Sequence, residues 1–388
     1  MDFELGEEYK MVANTVRDFM VAEIEPIAMR IDKEAKLPGW ILKKLGDMGL
    51  MGITIPEEYG GGGLDYLADI IAIKEMTKIS PSLGLTYGVH TSMAVENIYR
   101  NATEEQRRKF LPQLCNGEKI GALALTEPNH GSDAVGMEMK AKREGNYYIL
   151  NGEKMFITNA PIADTFLLYA KTAPELGSKG ITAFIVERGY EGKLEITELD
   201  KMGYRGSPTG QMFFEDYRVP KENVLGEENK GVRVMMNGLD TERTVMSAIC
   251  LGLAESALEM SIKYSKERKQ FGKPICSYQM IQEKLANMYT LTEACRLMIY
   301  KAADLAQKSE RGGRGTELHK MAAATLLFTA ESSSKVVQDA MQIFGGYSYM
   351  LDCPVNRLFR ATKLNEIGGG TSEMRRLIIA RELLGDYQ

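Results

Sequence analysis

Histidine is scarce, with three in 388 residues: His90, His130 and His319. They form no HExxH spacing and no close pair, so no metal site is expected and a histidine-based triad has few candidates. The five cysteines (Cys115, Cys250, Cys276, Cys295, Cys353) are odd in number and contain no CxxC pair. That pattern suits reduced thiols rather than a disulfide framework. It predicts a cytoplasmic protein, or a mitochondrial matrix protein if the chain is a processed eukaryotic one. No unbroken apolar run reaches the length of a spanning helix, so no membrane insertion is expected. The start, Met1 to Leu5, is acidic where a secretory or transit peptide would be basic. Charge of one sign is not in excess either: 48 Lys and Arg against 53 Asp and Glu leave a net −5, which gives no electrostatic reason for nucleic-acid binding. GxGxxG and GxxxxGK[ST] are both missing. The glycines at 60–63 follow no strand and read as a loop.

What is present is an ordinary globular composition, 44% hydrophobic and 26% charged, long enough for two or three domains at roughly 150 residues each. In the first part, Val12, Val16, Phe19, Ile24, Ile27 and Ile31 recur at helical intervals, with Pro26 marking a break. Further helices are expected over Tyr66–Ile79, Leu83–Asn101 and Thr103–Leu114. Near Gly121 the apolar period shifts to two. Strands are expected over Met139–Arg143, Tyr147–Leu150, Glu153–Ile157, Phe166–Ala170, Ile181–Val186, Leu194–Leu199 and Gln211–Tyr217. Gly145-Asn146 and Asn151-Gly152 supply turns, the latter a strong hairpin signal. After Val219-Pro220 the helical period returns. A stripe from Ile281 to Met298 and another helix over Met321–Phe344 flank a loop at Ser309–Gly315, and Gly345-Gly346 closes the second helix. The expected fold is α+β: an N-terminal helical domain (1–119), a middle antiparallel β-barrel or sandwich (120–225) and a C-terminal four-helix bundle (226–388).

Four segments carry chemistry. They are Leu125-Thr-Glu-Pro-Asn-His-Gly-Ser-Asp133 at the end of the first strand, Arg268-Lys-Gln-Phe-Gly-Lys-Pro-Ile275 with Gln279, Gln342-Ile-Phe-Gly-Gly346, and Gly370-Thr-Ser-Glu-Met-Arg-Arg376. In order and spacing they resemble the signature segments of the acyl-CoA dehydrogenase flavoenzymes, over essentially the whole chain. The resemblance implies FAD between the β domain and the C-terminal bundle, usually in a homotetramer. Leu123, Leu125, Thr126, Gly131, Ser132, Phe156, Ile157 and Thr158 would line the flavin ring, with Thr126 and Thr158 bonding its polar edge. Arg268, Phe271, Gln279, Gln342, Ile343, Gly345 and Gly346 would hold the diphosphate and adenosine, partly across a subunit boundary. A guanidinium suits a diphosphate, and glycine lets backbone approach it. Thr371, Ser372 and Glu373 belong to the same flavin-contacting set. Ser132, Ser178 and Lys179 are implied CoA contacts.

The reaction implied removes a proton α to a thioester while a hydride leaves the β carbon. It needs a carboxylate base and donors for the thioester oxygen, for which the family uses a flavin hydroxyl and a backbone N–H, here that of Gly369. Most members carry a glutamate immediately before the closing Gly-Thr, where this chain has Gly369 after Gly368. A minority, notably the isovaleryl-CoA dehydrogenases, place it on an earlier helix in a Leu-Asp-x-Glu-Arg segment, which Leu239-Asp-Thr-Glu-Arg243 resembles here. Glu242, read as lying in the first turn of its helix, is therefore the expected base, ahead of Glu366 and Glu373. Asp240 is expected at the adenine end of CoA or as a helix cap, and Arg243 is grouped with the substrate without assigned chemistry. Gly368, Gly369 and Gly370 leave room for a β-branched acyl chain. The absence of Lys or Arg between Leu83 and Ile98 argues against a dicarboxylic one. The expected activity is isovaleryl-CoA to 3-methylcrotonyl-CoA, with electrons passing to an electron-transfer flavoprotein. Alternatives are another short-chain, branched, cyclic or dicarboxylic acyl-CoA, a related flavin acyl-CoA oxidase using oxygen, or a catalytically inactive CoA- or flavin-binding interaction protein.

Overall fold

The computed structural model describes residues 5–309 and 312–385; residues 1–4 of the acidic start and 310 and 311 of the Ser309–Gly315 loop lie outside them. Helices α1 (Glu7–Phe19) and α2 (Ala28–Glu34) are separated by a π turn at Met20–Ile24 and a 3-10 turn at Glu25–Ile27. The break falls where Pro26 has no N–H to contribute to the helical ladder. There follow α3 (Trp40–Asp47), α4 (Tyr66–Ile79), α5 (Pro81–Gly88), α6 (Glu96–Asn101) and α7 (Glu104–Cys115). The Asp65 carboxylate caps α4 at 3.0 Å, and Thr103 and Gln106 form a capping box on α7. Where the sequence pattern reads one helix from Leu83 to Asn101, a π segment at Val89–Val95 joins α5 to α6.

The middle of the chain forms one eight-stranded sheet: β1 (Gly121–Ala124), β2 (Lys140–Glu144), β3 (Tyr147–Thr158), β4 (Thr165–Lys171), β5 (Ile181–Glu187), β6 (Lys193–Glu198), β7 (Thr209–Pro220) and β8 (Val224–Leu225). Pairing is antiparallel except that β1 and β2 lie parallel to β4. Gly145-Asn146 turns the β2–β3 hairpin. The second expected hairpin is absent, because β3 runs straight through Asn151-Gly152. β7 pairs along all of β3, from Tyr147↔Pro220 to Thr158↔Thr209, and the extra residue is absorbed as a bulge between Leu150 and Gly152. The Asn151 side chain accepts from the Asp216 N–H at 2.9 Å, tying the bulge to the neighbouring strand instead of closing a turn.

The C-terminal helices are α8 (Gly231–Glu267), α9 (Gln279–Lys308), α10 (Glu317–Phe344), α11 (Pro354–Asn365) and α12 (Ser372–Leu384), with a small ribbon of β9 (Lys269–Gln270) and β10 (Lys273–Pro274) after α8. By length and mean hydropathy α8 could cross a bilayer, but 83% of that stretch is buried against protein. It is the central core helix, packed on α4, α9 and α10. One apolar core joins N-terminal residues such as Val16 and Met76 to Leu253, Leu326 and Val355. A separate core fills the sheet around Phe166, Phe184 and Phe214.

Candidate active site

α11 and α12 are linked by a turn of three glycines. Gly369 and Gly370 adopt φ of +68° and +90°, a region that strains any residue with a Cβ. Thr371 caps α12 by accepting the Met374 N–H at 3.3 Å. α8 passes beside this turn and brings Glu242 to it: a Cβ built on Gly369 would stand 3.8 Å from Glu242 Oε1. The carboxylate from α8 therefore reaches the space that a side chain at 369 would enter. α8 starts at Gly231, so Glu242 sits about three turns in rather than in the first turn, and the helix dipole does not account for it. Burial pushes its carboxyl up to about 7, opposed by the charges of Arg243 and Arg375. A carboxylate with that affinity is matched to proton abstraction near neutrality.

The other two carboxylates are engaged elsewhere. Glu366 accepts from Ser334 Oγ at 2.6 Å and Lys363 Nζ at 2.7 Å. Burial would raise its carboxyl, but these contacts hold it below the ordinary value. Glu373 is exposed, held low by its own N–H and the Thr371 hydroxyl. Asp240 is fully buried. In place of the CoA contact or cap expected for it, its Oδ1 meets Arg243 Nη1 at 2.8 Å and His319 Nδ1 at 2.7 Å, while Oδ2 accepts the Gly313 N–H at 2.7 Å. It locks the loop before α10 onto α8. Arg243 is also buried, and its Nε donates to the Gly369 carbonyl at 3.3 Å.

The loop after β1 and the far end of β3 form a second group. β3 shifts register between Lys154 and Ile157. There Phe156 has φ +60° and is 64% exposed; an aromatic residue in this conformation is a strained outlier of the kind found where a ligand must be faced. Thr126 and Thr158, both half-buried, flank it, and the Thr126 carbonyl accepts the Met155 N–H at 2.8 Å. Ile157 points the other way, into the sheet core. Leu123 and Leu125 line a small apolar cavity of about 10 Å³ with Met93, Tyr169, Met235 and Leu239. Gly131 and Ser132 are exposed on the loop, and Ser178 and Lys179 on the 3-10 segment Pro174–Gly180.

Three residues that sequence reasoning left unassigned hold this group in place. Lys154, completely buried, donates to the Leu125 carbonyl at 3.0 Å and to Glu127 Oε1 at 2.9 Å. Glu127 also accepts the Met139 N–H at 3.1 Å, which closes the loop on itself. Burial lowers Lys154 to about 8 against the pull of Glu127. Asn159, at φ +69°, donates to the Thr86 carbonyl at 2.9 Å and so ties the end of β3 to α5. The sequence signal available was Glu127 inside its motif and an Asn directly after Thr158.

A cavity of about 530 Å³ opens on the C-terminal helices, with Tyr264, Arg268, Ile343, Gly345, Gly346 and Tyr347 in its wall. Arg268 lies 5.7 Å from the Tyr347 ring centroid, and Tyr264 stacks on Phe344 at 4.1 Å. Gly345 has φ +60°, and a Cβ at either glycine would meet nothing within 4 Å. A guanidinium beside open, side-chain-free backbone fits a diphosphate. Gln279, Gln342 and Phe271 are exposed near this cavity but do not line it, and no residue of the β1 loop does.

The chain matches three family descriptions in succession: acyl-CoA dehydrogenase N-terminal domain over residues 6–118, middle domain over 122–217 and C-terminal domain over 229–384. It is 44% identical over 387 residues to mitochondrial isovaleryl-CoA dehydrogenase of Pongo abelii, covering 99% of this chain and 90% of that one. A chain from the structure of an electron transferring flavoprotein of Acidaminococcus fermentans superposes with TM-score 0.96 at 40% identity, covering 100% of both. Butyryl-CoA dehydrogenase of Megasphaera elsdenii superposes with TM-score 0.95 at 37% identity, covering 99% and 100%. Solved structures similar to this chain include complexes with FAD. With matches to all three domains over nearly the whole chain and a relative 44% identical across 99% of it, the chain belongs to the acyl-CoA dehydrogenase family, FAD-dependent oxidoreductases acting on acyl-CoA thioesters.

Proposed function

We propose that this chain oxidises a short β-branched acyl-CoA, isovaleryl-CoA to 3-methylcrotonyl-CoA, with Glu242 taking the α proton. The observation that carries this is the 3.8 Å approach of the Glu242 carboxylate to the Cβ position of Gly369. FAD, when bound, supplies the acceptor for the hydride leaving the β carbon. The chain supplies the rest. Glu242 removes the proton from a partly buried position that favours its neutral form once the proton is taken. The Gly369 N–H, for which no acceptor stands among the described residues, is available to the thioester oxygen. Gly368 and Gly369 put no side chain beside the reacting carbons, and Met246 and Leu326 bound the space left. A branched chain fills that width better than a straight one, and an unfilled apolar cavity weakens binding.

In this reading Thr126, Phe156 and Thr158 face the flavin ring, and Arg268, Gly345 and Gly346 take the diphosphate. Thr371 and Ser372 border the flavin at the start of α12, and Ser132, Ser178 and Lys179 lie along CoA. The electron acceptor is an electron-transfer flavoprotein and the assembly a homotetramer, in the cytoplasm or the mitochondrial matrix, as the mitochondrial relative suggests. Butyryl-CoA is the substrate that competes with this reading, since the chain also superposes on a butyryl-CoA dehydrogenase along nearly its whole length. Turnover of a panel of acyl-CoA thioesters with a dye acceptor tests both parts. Isovaleryl-CoA is expected to exceed butyryl-CoA and n-octanoyl-CoA in kcat/KM. Glu242→Gln is expected to keep FAD and lose at least ~10³-fold in rate. A Gln variant with wild-type turnover defeats the base assignment, and a straight-chain preference defeats the pocket assignment.

A further inference from the structure

We propose that Arg375 is a positioning residue that aims the Gly369 N–H at the substrate's thioester oxygen, acting with Arg243 as a two-point clamp on the glycine turn. The idea rests on the reading that the thioester lies between this turn and Glu242. Arg375 stands in the first turn of α12 and is fully buried, among the largest side chains so enclosed. Its Nη2 donates to the Asn365 carbonyl at 2.8 Å and, at shorter range, to the Gly368 carbonyl. Arg243 Nε holds the next carbonyl, that of Gly369, at 3.3 Å. Consecutive peptide units are thus each gripped by one guanidinium.

The stereochemistry gives this grip a consequence. The Gly368 carbonyl and the Gly369 N–H belong to one planar trans peptide and point in opposite directions. A donor fixed on the carbonyl therefore fixes the direction of the N–H, and by polarising the amide it strengthens that N–H as a donor. The turn needs such an outside anchor. Its glycines have no side chains, and two of them occupy positive φ, where glycine has the widest conformational freedom to lose. Nothing else bonds the Gly368 and Gly369 carbonyls among the described residues. Burying an arginine with Nε and Nη1 left unpartnered is costly, which makes a purely space-filling role a poor account of it. Its charge also opposes the burial that raises Glu242.

The test uses holoenzyme of wild type, Arg375→Lys and Arg375→Gln, with 3-methylcrotonyl-CoA labelled at the carbonyl carbon as the probe. The carbonyl stretch of the bound thioester reports the hydrogen bond directly and does not depend on the base. It is expected to move to higher frequency in Arg375→Gln and partway in Arg375→Lys, with kcat falling ~10²-fold in the Gln variant, the scale of losing one oxyanion donor. KM is expected to change less than about threefold, as for an interaction made mainly in the transition state. The acid limb of the pH–rate profile should move up as a cation leaves the base. An unmoved stretch in both variants, or in Arg375→Lys alone if the Gln variant does not fold, overturns the proposal whatever their rates. Full turnover by Glu242→Gln overturns the base reading instead, and the stretch measurement still decides the clamp.

Discussion

As the proposed base, Glu242 is in tension between stability and reactivity, and the tension has a sign. Its carboxyl sits at about 7 in the folded chain because burial disfavours the charge, against ~4.3 in an unfolded one. Between those values the folded state keeps a proton that the unfolded state has lost. Stability therefore falls as pH rises through this window and stays reduced above it. Glu242→Gln removes the ionisation, so its thermal midpoint should exceed wild type at pH 8 and converge with it at pH 4. Scanning fluorimetry of both proteins at the two pH values reads this out. An equal offset at both would mean that packing, not charge, separates them. Wild-type kcat/KM should run the opposite way, rising through about pH 7. The residue itself was legible in the Leu239–Arg243 segment together with the glycine at 369. Its place three turns into α8 was not, because Gly231–Leu239 contains two glycines and reads as weak helix, while tertiary packing of Val234 and Met235 holds it helical.

At the scale of elements, β3 shows both what alternation in a sequence can reveal and where it stops. Its apolar alternation announced strand on both sides of Asn151-Gly152, and the local turn preference then suggested a reversal there. Pairing with β7, some sixty residues away, outweighs that preference, and no local pattern contains it. The same strand carries Lys154 into the loop that holds Thr126. Buried lysines are rare unless paired, yet nothing around Lys154 in the sequence marks it as buried, since its partner Glu127 is distant in the chain. Removing one member of a buried pair leaves the other uncompensated, at about 3–5 kcal/mol. Lys154→Met should therefore lower unfolding free energy by about that amount. It should also speed FAD release, because the β1 loop loses its tie to the Phe156 bulge. Urea unfolding and the rate of flavin fluorescence recovery after dilution measure the two effects. Destabilisation without faster release would show that the pair supports the sheet and not the loop.

The whole molecule has an α, β, α order that the changes of apolar period spelled out. The periodicity did not show that the two helical parts share one core, with α4 packed on α8 across more than 150 residues of chain, or that a buried neutral histidine joins the N-terminal part to the sheet. His90 meets the Met51 and Leu114 carbonyls at 3.1 Å and accepts the Gly121 N–H at 2.9 Å. The cavity at Arg268 raises a question at the same scale. Its wall contains no residue from the β1 loop or from Phe156–Thr158, although one flavin must span both groups in the proposed reading. Around it stand Phe271, Tyr349 and Leu351, exposed at 93%, 80% and 69%, an apolar surface of the kind covered by another subunit. In the proposed assembly a dinucleotide shared between copies would satisfy both facts, with the ring on one chain and the diphosphate on its neighbour's Arg268. Arg268→Ala should then lower flavin per subunit after gel filtration. It should also shift the assembly toward smaller species, since the cofactor would be part of the contact. Reconstitution with excess FAD should restore both together. If flavin content falls while the assembly stays intact, the cavity serves its own chain, and the apolar rim is covered for a separate reason.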